Sequence, residues 1–203
     1  EANQLVAHRG QLFASFGATY RNPPTPDPDF QGFGVLRKDT ANGSWLVDLD
    51  LGPRPYRVEV MASVNFTTDA QGRKLTQPAT RLVAARWSPN KTILVRDDAS
   101  ASAGAEAKWN ESTVVAGPSL PLGSVFTARS FGSHVDRTTG VHCLFAGTWQ
   151  GHGGAVGEYR SSIYRAAYDP SAPTGLRWAA EPELQNVGRI MAMAECNGDL
   201  YAA

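Results

Sequence analysis

The sequence predicts an all-β protein built from a repeated four-stranded unit, and three observations support this fold class. The tripeptide Leu-X-Ala, with an aromatic or β-branched residue in the middle, occurs at Leu12-Phe13-Ala14, Leu82-Val83-Ala84, Leu144-Phe145-Ala146 and Leu200-Tyr201-Ala202. In the first three units a Trp follows, at Trp45, Trp109 and Trp178. Gly and Pro, with 20 and 13 residues, are frequent enough for many short strands joined by turns. Markers that recur in one order indicate a repeat architecture.

The first predicted unit covers about residues 11–63. Its four strands are expected at 11–17, 32–38, 44–51 and 56–63. In the third strand polar and apolar residues alternate, which is typical of a strand with one buried face. Because Asp48 and Asp50 share the polar side of this alternation, we expect both to face solvent.

The later units repeat this organisation. The second unit covers about 81–131, with strands expected at 81–87, 92–97, 108–115 and 124–131. The third unit covers about 140–194, with strands expected at 140–148, 161–168, 176–184 and 188–194. A fourth unit begins at 198–203. Tight turns are predicted before the Leu-X-Ala strands of units one and four, and longer loops, at 65–80 and 132–139, before those of units two and three.

Four strands in a unit of about 60 residues form the pattern of a β-propeller blade. The Leu-X-Ala strand is predicted to be innermost, and the repeated Trp is predicted to pack between blades. Three blades and the start of a fourth leave open sheet edges. We therefore expect further chain or a partner subunit, such as a second copy, to complete the propeller.

The chain resembles secreted β-propellers that have degenerate Asp-box or kelch-like blades. The segment Asp39-Thr40-Ala41-Asn42-Gly43-Ser44-Trp45 is similar to an Asp-box, whose usual form is Ser-x-Asp-x-Gly-x-Thr-Trp. The gap between Asp and Gly is two residues longer here, and Arg37 and Lys38 stand where the Ser is usual. The resemblance covers nearly the whole chain at the level of repeat architecture, and it implies no particular enzymatic activity.

Composition bears on the partners and the location of the protein. Basic and acidic residues balance at 19 each without a basic stripe, so nucleic acid is not an expected partner. No apolar run approaches 18 residues, so no membrane span is expected. The chain starts at Glu1 rather than Met, which fits either a removed leader or a processed or excised piece. Four glycosylation sequons also indicate a secreted or extracellular glycoprotein, although Asn, Ser and Thr also gather in turns; the sequons lie at Asn42, Asn65, Asn90 and Asn110.

The candidate site residues lie where the inner strands are predicted to begin. A His beside carboxylates suits acid/base chemistry, and the candidate catalytic residues are His134, Asp136 and Glu195. Arg suits recognition of anionic groups, and the candidate ligand-binding residues are Arg9, Asp69, Arg73, Arg137 and Asn197. The alternative interpretation is a set of solvated polar loops. No metal-binding or cofactor motif is present, so no metal and no cofactor are predicted.

Two further pairs of residues have alternative interpretations. Cys143 and Cys196 are either a disulfide or, as we favour, two buried free thiols. Trp87 and Trp149 lie at matched positions after Leu-X-Ala. They are interpreted either as residues that pack under the blade or as an aromatic platform for sugars.

The function predicted from these features is a secreted binding or interaction scaffold whose ligand is a carbohydrate or a protein. The main alternative is a carbohydrate-active hydrolase or lyase with its site at the mouth of the propeller channel. A third possibility, a structural subunit of a larger complex, follows from the unclosed ring.

Overall fold

The computed structural model describes residues 2–16, 33–52, 57–101, 106–120, 124–152 and 160–203. The described chain forms antiparallel strands throughout, which confirms the predicted all-β class. No helix among these residues is long and apolar enough to cross a membrane.

Three sheets follow one another along the chain, and a hairpin comes after them. The first sheet has the order β1 (Ala2–His8), β2 (Gln11–Phe16), β3 (Phe33–Lys38), β4 (Leu46–Asp50). The second sheet has the order β5 (Val58–Thr68), β6 (Lys74–Arg86), β7 (Thr92–Asp97), β8 (Lys108–Thr113). The third sheet contains β9 (Ser124–Val135), β10 (His142–His152), β11 (Arg160–Tyr168), β12 (Leu176–Trp178) and the short β13 (Leu184–Gln185), which pairs with β11. The terminal hairpin consists of β14 (Met193–Cys196) and β15 (Asp199–Ala202).

Each sheet begins one strand earlier than the predicted unit. The Leu-X-Ala tripeptides lie on second strands, and the strand expected to end unit one is β5, the first strand of the second sheet. Tight hairpins explain the difference. Arg9 and Gly10 have φ values of 47° and 79°, and Asn197 and Gly198 repeat them at 53° and 76°. Through these turns the strand before each tripeptide pairs with the strand that contains it. The hydrogen-bonded sheet therefore begins at the strand before the tripeptide.

Most of the loops expected at 65–80 and 132–139 belong to extended hairpins. β5 continues to Thr68 and β6 starts at Lys74, and β9 continues to Val135. Phe66 explains the extension of β5, because its side chain is fully buried in the core between the second and third sheets. The turn itself is closed by the Asp69 carboxylate, which accepts hydrogen bonds from the backbone amides of Gln71 and Arg73.

The first strands of successive sheets lie next to one another. β1 packs against β5, β5 against β9, and β9 against β14. The Asn3 side chain donates to the carbonyl of Val58 at 3.0 Å, and the amide of Met61 donates to the Gln4 side chain at 2.6 Å. The sheets are therefore stacked face to face in chain order, with their first strands along one side.

Apolar side chains fill both gaps between the sheets. Phe13 and Leu82 are fully buried between the first and second sheets. Ile93 and Leu144 are fully buried between the second and third sheets. A third cluster contains only small buried side chains, which let the strands that carry them approach closely: Ala85, Ala128 and Ala146.

Two of the three repeated Trp residues pack between sheets, as predicted. Trp109 donates its indole N–H to the Asp48 carboxylate on the preceding sheet at 3.0 Å. Trp178 donates in the same way to the Ser112 hydroxyl at 3.0 Å. Asp48 lies three residues after Trp45, and Ser112 lies three residues after Trp109. The same contact therefore recurs between successive sheets. Trp45 is 41% exposed, because the described residues place no sheet before the first one.

Candidate ligand-binding edge

The predicted site residues lie at one edge of the stacked sheets, here called the turn edge. It comprises the turns from first to second strands and from third to fourth strands. These turns share an edge because antiparallel neighbours reverse direction at each connection. Arg9, Asp69, Asp136 and Asn197 all lie in or beside such turns.

A buried network of charges joins the first and second sheets at this edge. The Arg37 guanidinium donates to Asp48 at 2.8 Å and to Asp39 at 2.6 Å. Arg96 reaches the same Asp48 carboxylate from the second sheet, at 2.8 and 2.9 Å. The Asp48 side chain is 0% exposed, so the expectation that it faces solvent is wrong. The second sheet covers that side of β4 and supplies the cation that a buried carboxylate requires.

Asp98 extends the network to the turn of the first sheet. Its carboxylate accepts from Arg96 at 2.6 Å, pairs with Arg9 at 3.0 Å and bonds the His8 ring at 3.1 Å. Burial alone would raise the Asp98 pKa, but the hydrogen bonds from His8 and Arg96 outweigh it and lower the pKa. The other His8 nitrogen lies 2.8 Å from the Ser63 hydroxyl. Sequence reasoning placed Arg9 in a ligand site, and the structure makes it a partner of Asp98.

The three candidate catalytic residues lie in two separate places. The His134 ring bonds the Glu195 carboxylate at 2.9 Å. Asp136 instead accepts from the Thr139 hydroxyl at 2.7 Å and from the Thr138 amide at 2.8 Å, and these bonds lower its pKa. One acid/base pair is therefore formed, and Asp136 caps a turn beside it.

The His134–Glu195 contact occupies a repeated position. Glu195 and Ser63 both pair with the Leu of Leu-X-Ala across their own hairpins. On the preceding sheets the residues that pair with this Leu are Ser133 and Ala7, and His134 and His8 directly follow them. The two histidines thus make the same connection between neighbouring sheets. A structural role accounts for both contacts.

The other candidate ligand-binding residues form two separate pairs. Asp69 and Arg73 bond each other within one turn at 2.6 Å. Arg137 donates to the backbone carbonyl of Asn197 at 2.7 Å and lies 3.4 Å from Asp199. The structure spreads these residues over separate turns rather than gathering them at one point.

A cleft of about 490 Å³ opens at the turn edge between the second and third sheets. Its volume falls in the range of small-molecule sites. Residues from all three sheets line it, and the polar and aromatic ones include Arg9, Arg81, Asp97, Asp98, Asn110, Tyr168 and Thr174. Sequence reasoning missed Arg81 and Tyr168, because their proximity depends on how the third sheet packs on the second.

Arg81 contacts an aromatic ring and a backbone carbonyl in this cleft. Its guanidinium carbon lies 5.2 Å from the centre of the Tyr168 ring, which itself stacks on Phe66 at 6.1 Å. One guanidinium nitrogen donates to the Thr80 carbonyl at 2.9 Å. Within the described part of the chain, no carboxylate lies within ion-pair distance of Arg81.

Trp87 directly follows β6, and Trp149 lies near the end of β10. Both are far from the turn edge, where these strands begin. Their rings are 5.9 Å apart, and the Arg129 guanidinium contacts both. Arg57 packs on Trp87 and Arg189 on Trp149. Because Trp149 is buried, this alternating stack supports packing rather than an aromatic platform.

The sequons and the cysteines differ in accessibility. Asn42, Asn65 and Asn90 are exposed, whereas Asn110 is half-buried in the wall of the cleft. Cys143 is buried, and burial raises its pKa to about 11. Cys196 is exposed and also free, so the expectation of two buried thiols is right for Cys143 and wrong for Cys196. No cluster of three or more potential metal ligands occurs among the described residues.

His142 gives the turn edge a dependence on pH. Its ring bonds Ser133 at 2.7 Å and Thr67 at 3.1 Å. Burial lowers the His142 pKa below 6.5, partly offset by Glu195 and reinforced by His134. Because the fold disfavours the protonated ring, this group leaves stability unchanged well above pH 6.5 and reduces it as the pH falls below that value.

We therefore expect the urea midpoint of the protein to fall between pH 7 and pH 5 by more than that of His142→Gln. Glutamine retains polar atoms for the two hydroxyls but does not titrate. Parallel profiles for the two proteins would show that His142 does not contribute to the pH dependence.

The chain was compared with protein-family models, with curated proteins and with solved structures, and none of these comparisons found a match.

Proposed function

We propose that this chain is a portion of a secreted β-propeller that acts as a binding scaffold, with a carbohydrate ligand bound in the cleft at the turn edge. Two features support the propeller. The first and second sheets are four-stranded meanders, the third contains a four-stranded meander to which β13 is added, and the first strands of the sheets lie side by side. This is the arrangement that neighbouring blades require.

The observation that carries the binding function is the cleft itself. Three sheets contribute to its walls, and it combines the Asn110 amide, the Thr174 hydroxyl and the Arg81 guanidinium with the Tyr168 ring. Amides, hydroxyls and charged groups bond sugar hydroxyls. A rigid scaffold with adaptable turns is suited to hold such a set.

A carbohydrate-active hydrolase or lyase is the second candidate. One observation favours it, namely the hydrogen bond between the half-exposed Glu195 and His134. The equivalent contact of His8 with Ser63 favours a structural role for that bond, so binding remains the first proposal. If turnover of a carbohydrate substrate is found and His134→Ala leaves it unchanged, the pair is not catalytic.

We further propose that another sheet, from additional chain or from a second copy, covers the outer face of the first sheet. Leu5 is 60% exposed there, and Trp45 is exposed at a position where its two equivalents are packed. A role as a structural subunit of a larger complex, with a protein as the ligand of this face, is compatible with the same exposure.

The binding proposal is tested by probing an array of neutral and acidic glycans with the protein and with two variants. Ala172→Trp fills the cleft, because Ala172 lines it, whereas Ala41→Trp adds the same ring to an exposed turn of the first sheet. We expect binding to a subset of glycans that Ala172→Trp abolishes and Ala41→Trp preserves. Absence of binding to every glycan, or equal binding by both variants, would overturn the proposal.

A further inference from the structure

We propose that the cleft selects glycans that carry a carboxylate, such as uronic acids, and that Arg81 binds this carboxylate. The inference rests on the proposed function, because it specifies the ligand class of the same cleft. It goes further in naming the chemical group that is recognised and the residue that recognises it.

The distribution of charge in the cleft singles out Arg81. Three guanidinium groups line it, those of Arg9, Arg81 and Arg96. Arg96 bonds the carboxylates of Asp48 and Asp98, and Arg9 pairs with Asp98. Both cations are thus neutralised by the protein itself. Of these three cations, Arg81 is the one that makes no ion pair with a carboxylate among the described residues.

The geometry of Arg81 suits a planar anion. A guanidinium has five N–H donors, and the bond to the Thr80 carbonyl uses one nitrogen of the group. The contact with the Tyr168 ring and the bond to the Thr80 carbonyl hold the guanidinium in the cleft before a ligand arrives. A fixed fork of parallel N–H groups matches the two oxygens of a carboxylate, and less conformational entropy is lost on binding.

The groups around Arg81 favour a sugar acid over an acidic peptide. The Asn110 side chain supplies donors and an acceptor, as the hydroxyls of a sugar ring require, and the Thr174 hydroxyl, which donates to the Ser112 hydroxyl at 3.0 Å, supplies a further acceptor. Asp97 also lines the cleft and adds a carboxylate that accepts from hydroxyls but repels a second anion. A ligand with one carboxylate and several hydroxyls satisfies this arrangement.

A matched pair of sugars tests the selectivity. Methyl glucuronide and methyl glucoside differ only in the carboxylate at C6, and the methyl glycoside of sialic acid supplies a second acid. Each is titrated into the ¹⁵N-labelled protein and followed by NMR. We expect the acids, but not the glucoside, to shift the amide signals of Arg81 and Thr174.

Variants of Arg81 test the assignment of the residue. Arg81→Gln is expected to weaken acid binding by about tenfold or more, as the loss of a charge-assisted hydrogen bond implies. Arg160→Gln is the matched control, because it removes the same charge from an exposed position outside the cleft. Arg81→Lys keeps the charge but loses the fork, so its affinity for the acids is expected to lie between those of Arg81→Gln and the parent protein. Arg81→Lys also tests the assignment if Arg81→Gln fails to fold.

The possible outcomes separate this inference from the proposed function. Equal binding of glucuronide and glucoside, lost in Ala172→Trp but not in Arg81→Gln, would overturn carboxylate selectivity while leaving a carbohydrate site. Binding of none of the three sugars would overturn the inference. If an Asp- and Glu-rich peptide then shifted the same signals, the ligand would be a protein, and the carbohydrate assignment would fail as well.

Discussion

Replacing Asp48 with Asn is expected to destabilise the protein by about 3–5 kcal/mol, the cost of breaking a buried ion pair from one side. Asp48 accepts hydrogen bonds from Arg37, Arg96 and Trp109, and its side chain is fully buried. Asparagine has nearly the same shape but no charge. Two buried guanidinium groups would then share only Asp39 and Asp98 as counterions. The free energy of unfolding in urea measures the effect.

Asp50→Asn is the matched control for this prediction. Asp50 lies two residues further along the same strand and is exposed, so we expect a change within about 0.5 kcal/mol. The alternation of residues in β4 predicts equal, small effects for both substitutions. An equally small effect at Asp48 would mean that the charge network does not stabilise the fold.

Replacing Trp109 with Ala is expected to cost about 3 kcal/mol, near the lower limit for buried aromatic residues because the ring is half-buried. The substitution removes packing between the first and second sheets. It also removes the indole donor to Asp48. Thermal and urea unfolding of the purified chain would measure the loss.

Trp45→Ala makes the same change at the equivalent position of the first sheet. In a single chain, to which no covering sheet is bound, we expect a loss below about 1 kcal/mol, because Trp45 is exposed. Comparable losses at the two positions would mean that the purified protein already contains the sheet that we propose to cover Trp45. A native mass twice that of one chain would then identify a second copy as the cover.

The strands and their repetition were predictable because they depend on local sequence. A strand alternates its side chains between two faces, so an uninterrupted apolar run such as Leu82-Val83-Ala84 predicts that both faces are buried, as they are. Packing of the repeated Trp was also predictable, and Trp109 and Trp178 confirm it. The assignment of strands to sheets was less accessible, because short turns such as Arg9-Gly10 determine which strands pair first.

The candidate site was predicted only in part. Reasoning from residue types identified His134 and Glu195, which do form a pair, and the turn edge on which they lie. It grouped Asp136 with them, although nearby Thr side chains and amides satisfy that carboxylate. Residue type does not show which polar group already has a partner within its own turn.

The sequence by itself determined that this protein is all-β, because strand periodicity is set by neighbours along the chain. The tertiary structure decided the burial of Asp48, the exposure of Trp45 and the cleft beside Arg81. Each of these depends on whether another sheet lies against the residue. Stacking of sheets joins residues far apart in the chain, and the alternation within one strand carries no information about it.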